Sequence, residues 1–248
     1  MNSKNTFNTI STNNSNINIL QWNVNGFFNR LNEIKILINT QNPNIICCLQ
    51  ETNFTHKSLP NIKGFQVFTK NRINCSRASG GVAIFKDTSY PVQEIPIISH
   101  LEVIAIRLKA KENLTICNIY LPNLTKFNLN DIQDIINQLP TPFFLLGDFN
   151  SHNSLWGSQH TDARGRIIET ILDNPNIMLL NDGNDTYLTT ASGNTSSIDL
   201  TLSSTSIGCN SEWKVIPAIY SSDHWPIIIN IKYRNNVELY ELPPLNGI

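Results

Sequence analysis

The stretch Phe143-Phe144-Leu145-Leu146-Gly147-Asp148-Phe149-Asn150 places four consecutive apolar side chains before an Asp-x-Asn pair. A short apolar run that is followed by Gly and Asn is typical of a buried β-strand ending in a turn. The strand predicted here is Phe143–Gly147, and Asp148 then lies at its end, where a cleft can receive a carboxylate. Because an Asp-x-Asn after a strand is usually only a turn, the rest of the sequence must decide whether Asp148 and Asn150 carry chemistry.

Apolar or β-branched runs of the same kind recur along the chain, and most end in a polar residue. They predict further strands at Ile17–Asn23, Ile45–Gln50, Phe65–Lys70, Gly81–Phe85, Val103–Leu108, Leu114–Tyr120, Ile198–Leu202 and Pro226–Ile231.

Helical spacing of apolar residues predicts three helices. Their stripes are Leu31, Ile34, Leu37 and Ile38, with Asn29 as the N-cap; Ile132, Ile135, Ile136 and Leu139, before Pro140; and Ile167, Ile168, Ile171 and Leu172, before Asn174-Pro175. Many strands with few helices favour two packed β-sheets with the helices outside.

Composition divides the chain into three parts and excludes several classes of protein. Residues 1–16 are predicted to be a disordered polar arm, residues 17–233 one domain, and residues 234–248 a linker or tail leading into a longer protein. A net charge of -1 argues against a polybasic binder. Five cysteines without a C-x-x-C pair indicate a reducing compartment. No secretory signal and no membrane-spanning run is present, so we expect a nuclear or cytosolic protein.

Polar residues at the strand ends form a set suited to phosphodiester hydrolysis. Glu51 follows one predicted strand and, with the Asn23 amide oxygen nearby, suits a hard cation such as Mg²⁺. Asp148, held by Asn150, is placed to act as a base. Asp199 could fix the tautomer of His224.

Each of these residues also has a plain structural interpretation. Glu51 alone is typical of a solvated loop end, and Tyr120 alone is typical of a half-buried core ring. A Ser-Asp-His sequence before a strand, as at His224, is often only a cap. Their joint occurrence at strand ends is what favours the catalytic interpretation.

A set of short motifs resembles the endonuclease/exonuclease/phosphatase superfamily in both content and order. The motifs are Gln21-Trp22-Asn23-Val24-Asn25-Gly26, Leu49-Gln50-Glu51-Thr52, Gly80-Gly81-Val82-Ala83, Ile119-Tyr120-Leu121-Pro122-Asn123, Gly147-Asp148-Phe149-Asn150, Ser197-Ile198-Asp199-Leu200 and Ser222-Asp223-His224. The resemblance implies an α/β fold, a four-layer sandwich of two packed, mostly antiparallel β-sheets with outer helices, and Mg²⁺-dependent phosphodiester hydrolysis.

The resemblance also assigns roles to individual residues. It makes Glu51 the metal ligand, with Asn23 its neighbour and Asp223 near the metal. Tyr120 and Asn150 become phosphate-site groups, Asp148 the base, and Asp199–His224 a dyad. Asn25 stands where some relatives have a second metal-side Asp, which leaves one or two ions open.

Within the superfamily, the chain is similar to the apurinic-like endonuclease domains of arthropod-type non-LTR retrotransposons. The similarity lies in Asn150-Ser151-His152, Leu155-Trp156-Gly157-Ser158, Asp162-Ala163-Arg164-Gly165, Leu180-Asn181-Asp182-Gly183 and Thr186-Tyr187. Repair enzymes have a longer segment before the Ile-Asp pair and an Arg directly before it, whereas this chain has the short run Tyr187–Ser197. That departure argues against a repair function.

Two segments are candidates for DNA contact. The segment between Glu51 and Asp87 contains no acidic residue. It contains six basic residues, Lys57, Lys63, Lys70, Arg72, Arg77 and Lys86. Such clustering favours a phosphate-facing surface over an ordinary solvated face. The runs Tyr187-Leu188-Thr189 and Ser197-Ile198-Asp199 predict a hairpin whose turn, with Ser192, Gly193 and Asn194 at its centre, reads the DNA groove.

The resemblance implies a DNA endonuclease that uses Mg²⁺, or Mn²⁺ in its place, to nick one strand of double-stranded DNA. The 3′-hydroxyl would prime reverse transcription by a domain of the same full-length polyprotein. We expect location in the nucleus, or in the cytoplasm before import, and no membrane partner. The alternatives are a cellular apurinic-site endonuclease or exonuclease, a phosphatase of the same superfamily, and an inactive nucleic-acid-binding module. The last is disfavoured by the intact set Glu51, Asp148, Asp199 and His224.

Overall fold

The computed structural model describes residues 17–41, 45–73, 77–88, 91–109, 112–217 and 220–232. The predicted arm at residues 1–16 and the predicted tail at 234–248 lie outside the described residues, so the domain bounds stay a prediction. Among the described helices, none is long and apolar enough to cross a membrane.

Two six-stranded sheets form the centre of the fold. The first has the order β13-β14-β1-β2-β4-β3, with strands β1 (Ile17–Asn23), β2 (Ile45–Gln50), β3 (Phe65–Lys70), β4 (Val82–Asp87), β13 (Ser211–Val215) and β14 (Ile227–Ile231). The second has the order β5-β6-β7-β8-β12-β9, with strands β5 (Val92–Ile95), β6 (Glu102–Leu108), β7 (Leu114–Tyr120), β8 (Phe143–Asp148), β9 (Ile177–Leu179) and β12 (Asp199–Ser204).

The remaining elements lie around these sheets. They are the helices α1 (Phe27–Gln41), α2 (Leu129–Asn137), α3 (Ala163–Leu172) and α4 (Thr205–Gly208), a 3₁₀ turn at Ser154–Trp156, and a separate hairpin of β10 (Tyr187–Thr189) and β11 (Asn194–Ser196).

Three apolar clusters account for the layers. One cluster fills the space between the sheets and includes Ile19, Ile84 and Phe144. A second packs α1 against the outer face of the first sheet, and a third packs α2 and α3 against the outer face of the second sheet. The result is the predicted four-layer α/β sandwich, in which neighbouring strands are mostly antiparallel. The fold prediction is therefore confirmed.

The differences from the predicted elements are small and have physical causes. The strands predicted for the two sheets all form, with bounds that shift by at most two residues; β4 begins at Val82 because Gly81 has a left-handed φ of +83° and belongs to the preceding turn. The hairpin forms, but the prediction that Ser197–Asp199 is its second strand is wrong: Tyr187–Thr189 pairs with Asn194–Ser196, and Asp199 begins β12. Helix α1 begins at Phe27, so the prediction that Asn29 caps it is wrong. The strands missed at Val92–Ile95, Ile177–Leu179 and Ser211–Val215 lie at sheet edges, where an unpaired side tolerates polar residues and leaves no continuous apolar run.

One parallel pair in each sheet brings the functional strand ends to one place. Strand β1 runs parallel to β2, so Asn23 and Gln50 end side by side. Strand β7 runs parallel to β8, which pairs Tyr120 with Asp148, and the antiparallel strand β12 pairs Asp199 with Asp148. The polar residues that end these strands therefore share one edge of the sandwich.

Buried polar bonds join the two sheets just below that edge. Gln21 Nε2 on the first sheet donates to Gly147 O on the second at 3.0 Å, and Thr201 Oγ1 donates to Gln21 Oε1 at 2.8 Å. Asn118 of the second sheet donates to Leu49 O and Ala83 O of the first, both at 2.9 Å. Because a buried polar group is costly without its partner, these bonds favour one relative placement of the sheets.

Candidate active site

The predicted site residues meet at the edge where the strands end. Asn23, Tyr120, Asp148, Asp199 and His224 are buried there, and Glu51 and Asn150 are half-buried. The structure therefore brings together side chains that are up to about 200 positions apart in the sequence, while their individual roles stay predictions.

The amide of Asn23 connects the two sheets at the centre of the site. Its Nδ2 donates to Glu51 Oε1 at 3.1 Å and to Asp148 Oδ2 at 2.9 Å, and its Oδ1 accepts from Asn25 N at 3.1 Å. The nitrogen, not the oxygen, thus faces Glu51. In this arrangement Asn23 orients the two carboxylates, which differs from the expectation that its oxygen faces a cation.

Three residues of the site have a left-handed backbone. The φ angles are +42° at Asn25, +49° at Glu51 and +46° at Asn150. Asn adopts this region fairly readily, but a Glu there is uncommon. Gly26 N donates to Glu51 O at 2.8 Å and so supports the bend that aims the Glu51 side chain into the site. Backbone strain of this kind concentrates at functional sites.

Tyr120 and Glu51 form a short hydrogen bond. Tyr120 OH donates to Glu51 Oε1 at 2.6 Å. Burial, and then the negative charge of Glu51, raises the pKa of the Tyr120 hydroxyl above its ordinary value. Tyr120 therefore keeps its proton and serves as a hydrogen-bond donor.

Asp148 accepts three hydrogen bonds from the side chains and backbone around it. Besides Asn23, Asn150 donates from its backbone N to Oδ1 at 2.9 Å and from its Nδ2 to Oδ2 at 3.0 Å. Burial raises the pKa of Asp148 to about 7, against the opposing effect of the His224 charge and with the help of the Asp199 charge. A carboxylate with this pKa can exchange a proton near neutral pH.

His224 is held between two carboxylates. Its Nδ1 lies 2.8 Å from Asp199 Oδ2, and its Nε2 lies 3.9 Å from Asp148 Oδ2. Burial by itself would lower the pKa of His224, but the charge and hydrogen bond of Asp199 outweigh it and raise the pKa to about 9. The ring of Tyr187 packs against the imidazole, with centroids 4.8 Å apart. The imidazole is therefore fixed in orientation and favoured in its charged form.

The donor set fits a divalent cation. Among the described residues, both hydrogen bonds to the Glu51 carboxylate go to Oε1, and Glu51 is half-exposed, so the second carboxylate oxygen is placed to bind an ion at the mouth of the site. The ligand atoms of Asp148, Asp199 and His224 all lie within 4.8 Å of one another, but a charged imidazole has no lone pair for a cation, so this group offers only its two buried carboxylates. The buried Asp199 Oδ1 has no hydrogen-bond partner among the described residues. Carboxylate oxygens in this number suit Mg²⁺.

Asp223 is the third residue predicted to bind the metal, and its backbone carbonyl accepts a hydrogen bond from the hairpin beside the site. Its carbonyl accepts from Leu188 N at 2.8 Å, which joins the hairpin β10–β11 to the residue before His224. Ser222 Oγ donates to Asn23 O at 2.7 Å and holds the same segment against β1. A metal-binding role for the Asp223 carboxylate stays a prediction.

The predicted DNA-contact residues divide into two groups. Lys57, Lys63, Lys70 and Arg77, together with the hairpin tip at Ser192, Gly193 and Asn194, are exposed as expected. Arg72 is half-buried and pairs with Glu102 at 2.7 Å. Lys86 is only 1% exposed, because its position on β4 points into the protein, so its inclusion in the basic surface was wrong.

Several residues that shape the site carry no local signal in the sequence. The guanidinium of Arg72 lies 5.8 Å from the Tyr120 ring centroid and flat against Gly80, where a Cβ would come within 2.4 Å of it. Glu102 accepts from both Arg72 and Gly81 N. Thr186 Oγ1 accepts from the backbone N of Asp199 at 3.1 Å. Arg72 with Glu102 and Arg72 with Tyr120 join segments that are far apart in sequence, and the shorter-range contacts to Gly80 and Thr186 depend on loop conformations that no local pattern predicts.

Comparison with known proteins shows which proteins the chain is similar to. The family model for endonuclease-reverse transcriptase matches residues 114–228. The chain is 25% identical over 219 residues to a probable RNA-directed DNA polymerase from transposon X-element of Drosophila melanogaster, covering 87% of this chain. It is 20% identical over 168 residues to the RNA-directed DNA polymerase from mobile element jockey of the same fly, covering 67% of this chain. The chain spans only 24% and 18% of the length of these two relatives.

Solved structures show the same fold. The endonuclease domain of TRAS1, a telomere-specific non-LTR retrotransposon, matches with a TM-score of 0.73 and 22% identity over 88% of this chain and 99% of that one. A 3′-5′ exonuclease from Neisseria meningitidis matches with a TM-score of 0.70 and 17% identity, over 88% and 100% of the two chains. The resemblance to the endonuclease/exonuclease/phosphatase superfamily and to the endonuclease domains of non-LTR retrotransposons is thus confirmed.

Replacing Asp199 with Asn should lower the pKa of His224. The substitution keeps the shape of the side chain but removes the charge that holds the imidazolium, so burial then dominates. We expect a fall of about 1 to 3 pH units from the value near 9, since an opposite charge at contact distance shifts a pKa by that much. An NMR pH titration of the His224 ring in metal-free protein measures it. Asp134→Asn, an exposed change on α2, should leave the pKa of His224 unchanged. A pKa that stays near 9 in Asp199→Asn would refute this electrostatic account.

Proposed function

We propose that this chain, an endonuclease-like domain of the kind found in non-LTR retrotransposons, nicks one strand of double-stranded DNA in a Mg²⁺-dependent reaction. The observation that carries the proposal is the joining of Glu51 and Asp148 by one amide of Asn23, directly beside the His224–Asp199 pair. This arrangement supplies a cation ligand, a base and a charged hydrogen-bond donor at one point, which are the groups that phosphodiester hydrolysis requires.

Asp148 and His224 would divide the acid–base work. Asp148, held by Asn23 and Asn150, takes a proton from the attacking water, for which its pKa of about 7 is suited. The water oxygen attacks phosphorus, the bond from phosphorus to the 3′ oxygen breaks, and that oxygen takes up a proton from solvent water, which leaves a 3′-hydroxyl and a 5′-phosphate. His224, charged and fixed by Asp199, donates from Nε2 to a phosphate oxygen on which negative charge accumulates.

Glu51 would hold the divalent cation through its half-exposed carboxylate, while Asp148 keeps its role as base and Asp199 its role as partner of His224. Bound Mg²⁺, or Mn²⁺ in its place, supplies Lewis-acid stabilisation of charge on the scissile phosphate. Tyr120, which donates to Glu51, keeps that carboxylate oriented towards the cleft. Asp223 remains a candidate for the same ion because it precedes His224 in the chain.

DNA would lie across the edge that contains these residues. The exposed cations Lys57, Lys63, Lys70 and Arg77 are suited to phosphate contacts, which supply most of the affinity without reading sequence. The hairpin β10–β11 stands beside the site because Tyr187 packs on His224 and Leu188 bonds to Asp223. Its uncharged tip, with Ser192, Gly193 and Asn194, can therefore read a groove.

The proposed nick would also have a role in the full-length protein. The curated relatives are RNA-directed DNA polymerases of transposons, and this chain matches about a quarter or less of their length. We therefore propose that the 3′-hydroxyl primes reverse transcription by a polymerase domain of the same polypeptide. Since the substrate is chromosomal DNA, the protein would act in the nucleus.

Glu51→Gln should abolish most of the nicking. The amide keeps the shape and an acceptor oxygen for Tyr120 and Asn23, but it loses the charge that holds the cation. We expect the conversion of supercoiled to open-circular plasmid in Mg²⁺ to fall by about two decades or more, because metal stabilisation contributes several kcal/mol. A chelator should have the same effect on the unaltered protein. Glu94→Gln, an exposed change on β5, is the matched control and should retain the rate.

Undiminished nicking by Glu51→Gln would remove Glu51 from the reaction. The same preparations separate the alternative functions. Much faster cleavage of an abasic duplex than of intact plasmid would indicate a repair endonuclease. Release of phosphate from inositol phosphates without nicking would indicate a phosphatase.

Changing the hairpin tip should move the nick sites. The turn between β10 and β11 at residues 190–193, which carries Ser192 and Gly193 of the tip, is closed by Ser192 N and Gly193 N, which donate to Thr189 O. Replacing these four residues with a neutral turn of equal length should redistribute the nicks on a sequenced plasmid. Total nicking at low salt should change only a few-fold, since the catalytic set is untouched. Alanine at Gln133 and Asn137 on α2 is the control. An unchanged map would show that sequence is read elsewhere.

A further inference from the structure

Arg164, in the first turn of α3, donates hydrogen bonds to the backbone of two loops beside the active site. Its Nη2 donates to Leu121 O at 2.6 Å and to Phe149 O at 2.8 Å. Its Nη1 donates to Pro122 O at 3.0 Å and to Thr125 O at 3.1 Å. Three of these distances lie in the normal range for hydrogen bonds from nitrogen to oxygen, and the bond to Leu121 O is slightly shorter. One side chain therefore joins the loop after β7 to the loop after β8.

Both loops begin at residues of the site. Leu121 directly follows Tyr120, and Phe149 lies between Asp148 and Asn150. The position of the Phe149 carbonyl sets the peptide that leads into the left-handed Asn150, whose backbone N and Nδ2 both donate to Asp148. Holding these two carbonyls thus holds the backbone on both sides of the Tyr120–Asp148 pair.

Arginine is the residue suited to this role. Its planar group has five donors in a fixed fork, whereas the ammonium of lysine has three donors on one atom and cannot reach two loops in two directions. The guanidinium also lies over the Phe127 ring, with its central carbon 4.8 Å from the centroid. These contacts fix the plane of the guanidinium.

The start of α3 is itself fixed to the loop after β8. Asp162 caps the helix by accepting from Gly165 N at 2.6 Å, and its other oxygen lies 3.1 Å from His152 Nδ1. A Cβ on Gly165 would come within 1.8 Å of the carbonyl oxygen of His152, so only glycine permits this approach of helix and loop. The backbone of Arg164 is therefore held in place. In the Asp-Ala-Arg-Gly motif, Asp162 caps the helix, Arg164 bonds to the two loops and Gly165 permits the close contact with His152.

We propose that Arg164 is a positioning residue, which places Tyr120 and Asn150 for the reaction through the carbonyls of Leu121 and Phe149. The inference rests on the proposed function in so far as it concerns turnover. Arg164 acts through backbone groups of the two loops, so its loss should disturb the chemical step and leave the exposed DNA-contact surface intact.

The test compares Arg164→Lys with Arg166→Lys, a matched change at an exposed position of the same helix. We expect kcat for plasmid nicking to fall by about tenfold to a hundredfold in Arg164→Lys, since small misplacements of reacting groups cost up to that much. KM should stay within about twofold. Arg166→Lys should leave kcat unchanged.

Hydrogen exchange of backbone amides, followed by mass spectrometry, supplies a measurement that does not depend on activity. Exchange in Arg164→Lys should become faster in segments 121–127 and 149–152 and stay unchanged in the strands of the first sheet. If the unaltered protein does not nick plasmid, the proposed function fails, and the exchange pattern still decides whether Arg164 holds the loops.

Three results would overturn the inference: an unchanged kcat, a rise in KM equal to the loss in kcat, or faster exchange throughout the protein. Should Arg164→Lys fail to fold, Phe127→Leu removes only the ring beneath the guanidinium. It should lower kcat a few-fold at unchanged KM, with faster exchange in the same two segments, and the absence of both effects would equally refute the inference.

Discussion

The bond network around the Asn23 amide is the constraint on which the site depends. Two carboxylates from different sheets, Glu51 and Asp148, would repel each other, yet both accept from the same Nδ2 at 3.1 and 2.9 Å. In a buried setting such hydrogen bonds are strong, and an unpaired carboxylate would be costly. The amide therefore fixes the separation of the two acids and, with it, the relative position of the two strand ends.

The rest of the sandwich supports that one junction. Gln21 and Asn118 join the sheets a short way below the site, so the strand ends cannot slide past each other without breaking buried polar bonds. Burial in the same region raises the pKa of Asp148, and Asp199 raises that of His224. A hydrolytic site requires acid–base groups with shifted pKa values in one cleft. The same packing that joins the two sheets buries Asp148 and holds Asp199 beside His224, and so contributes to those shifts.

The sequence predicted the parts of the structure that depend on local patterns. Apolar runs located the central strands, and the polar residues that end them, such as Asp148 and Glu51, proved to meet at one edge. Edge strands such as Ser211–Val215 were missed because their exposed side carries polar residues. The direction of the Asn23 amide and the contact of Arg164 with Leu121 could not be predicted, since their partners lie far away in the chain. The contact of Thr186 with Asp199 N spans a shorter distance but depends on the path of the loops between them. Lys86 was misassigned because charge alone does not reveal which face of a strand is buried.

The most direct test of this account is the single-turnover nicking rate of Asn23→Asp. The substitution is nearly isosteric, but it replaces the shared donor with a third carboxylate. We expect the rate to fall by about two to three decades, as for the loss of an active-site hydrogen-bond donor, with the circular dichroism spectrum unchanged. If the Asn23 side chain only occupied space, or if its oxygen were a cation ligand, an aspartate at this position would support the same nicking rate. A rate within about fivefold of the unaltered protein would therefore contradict the account.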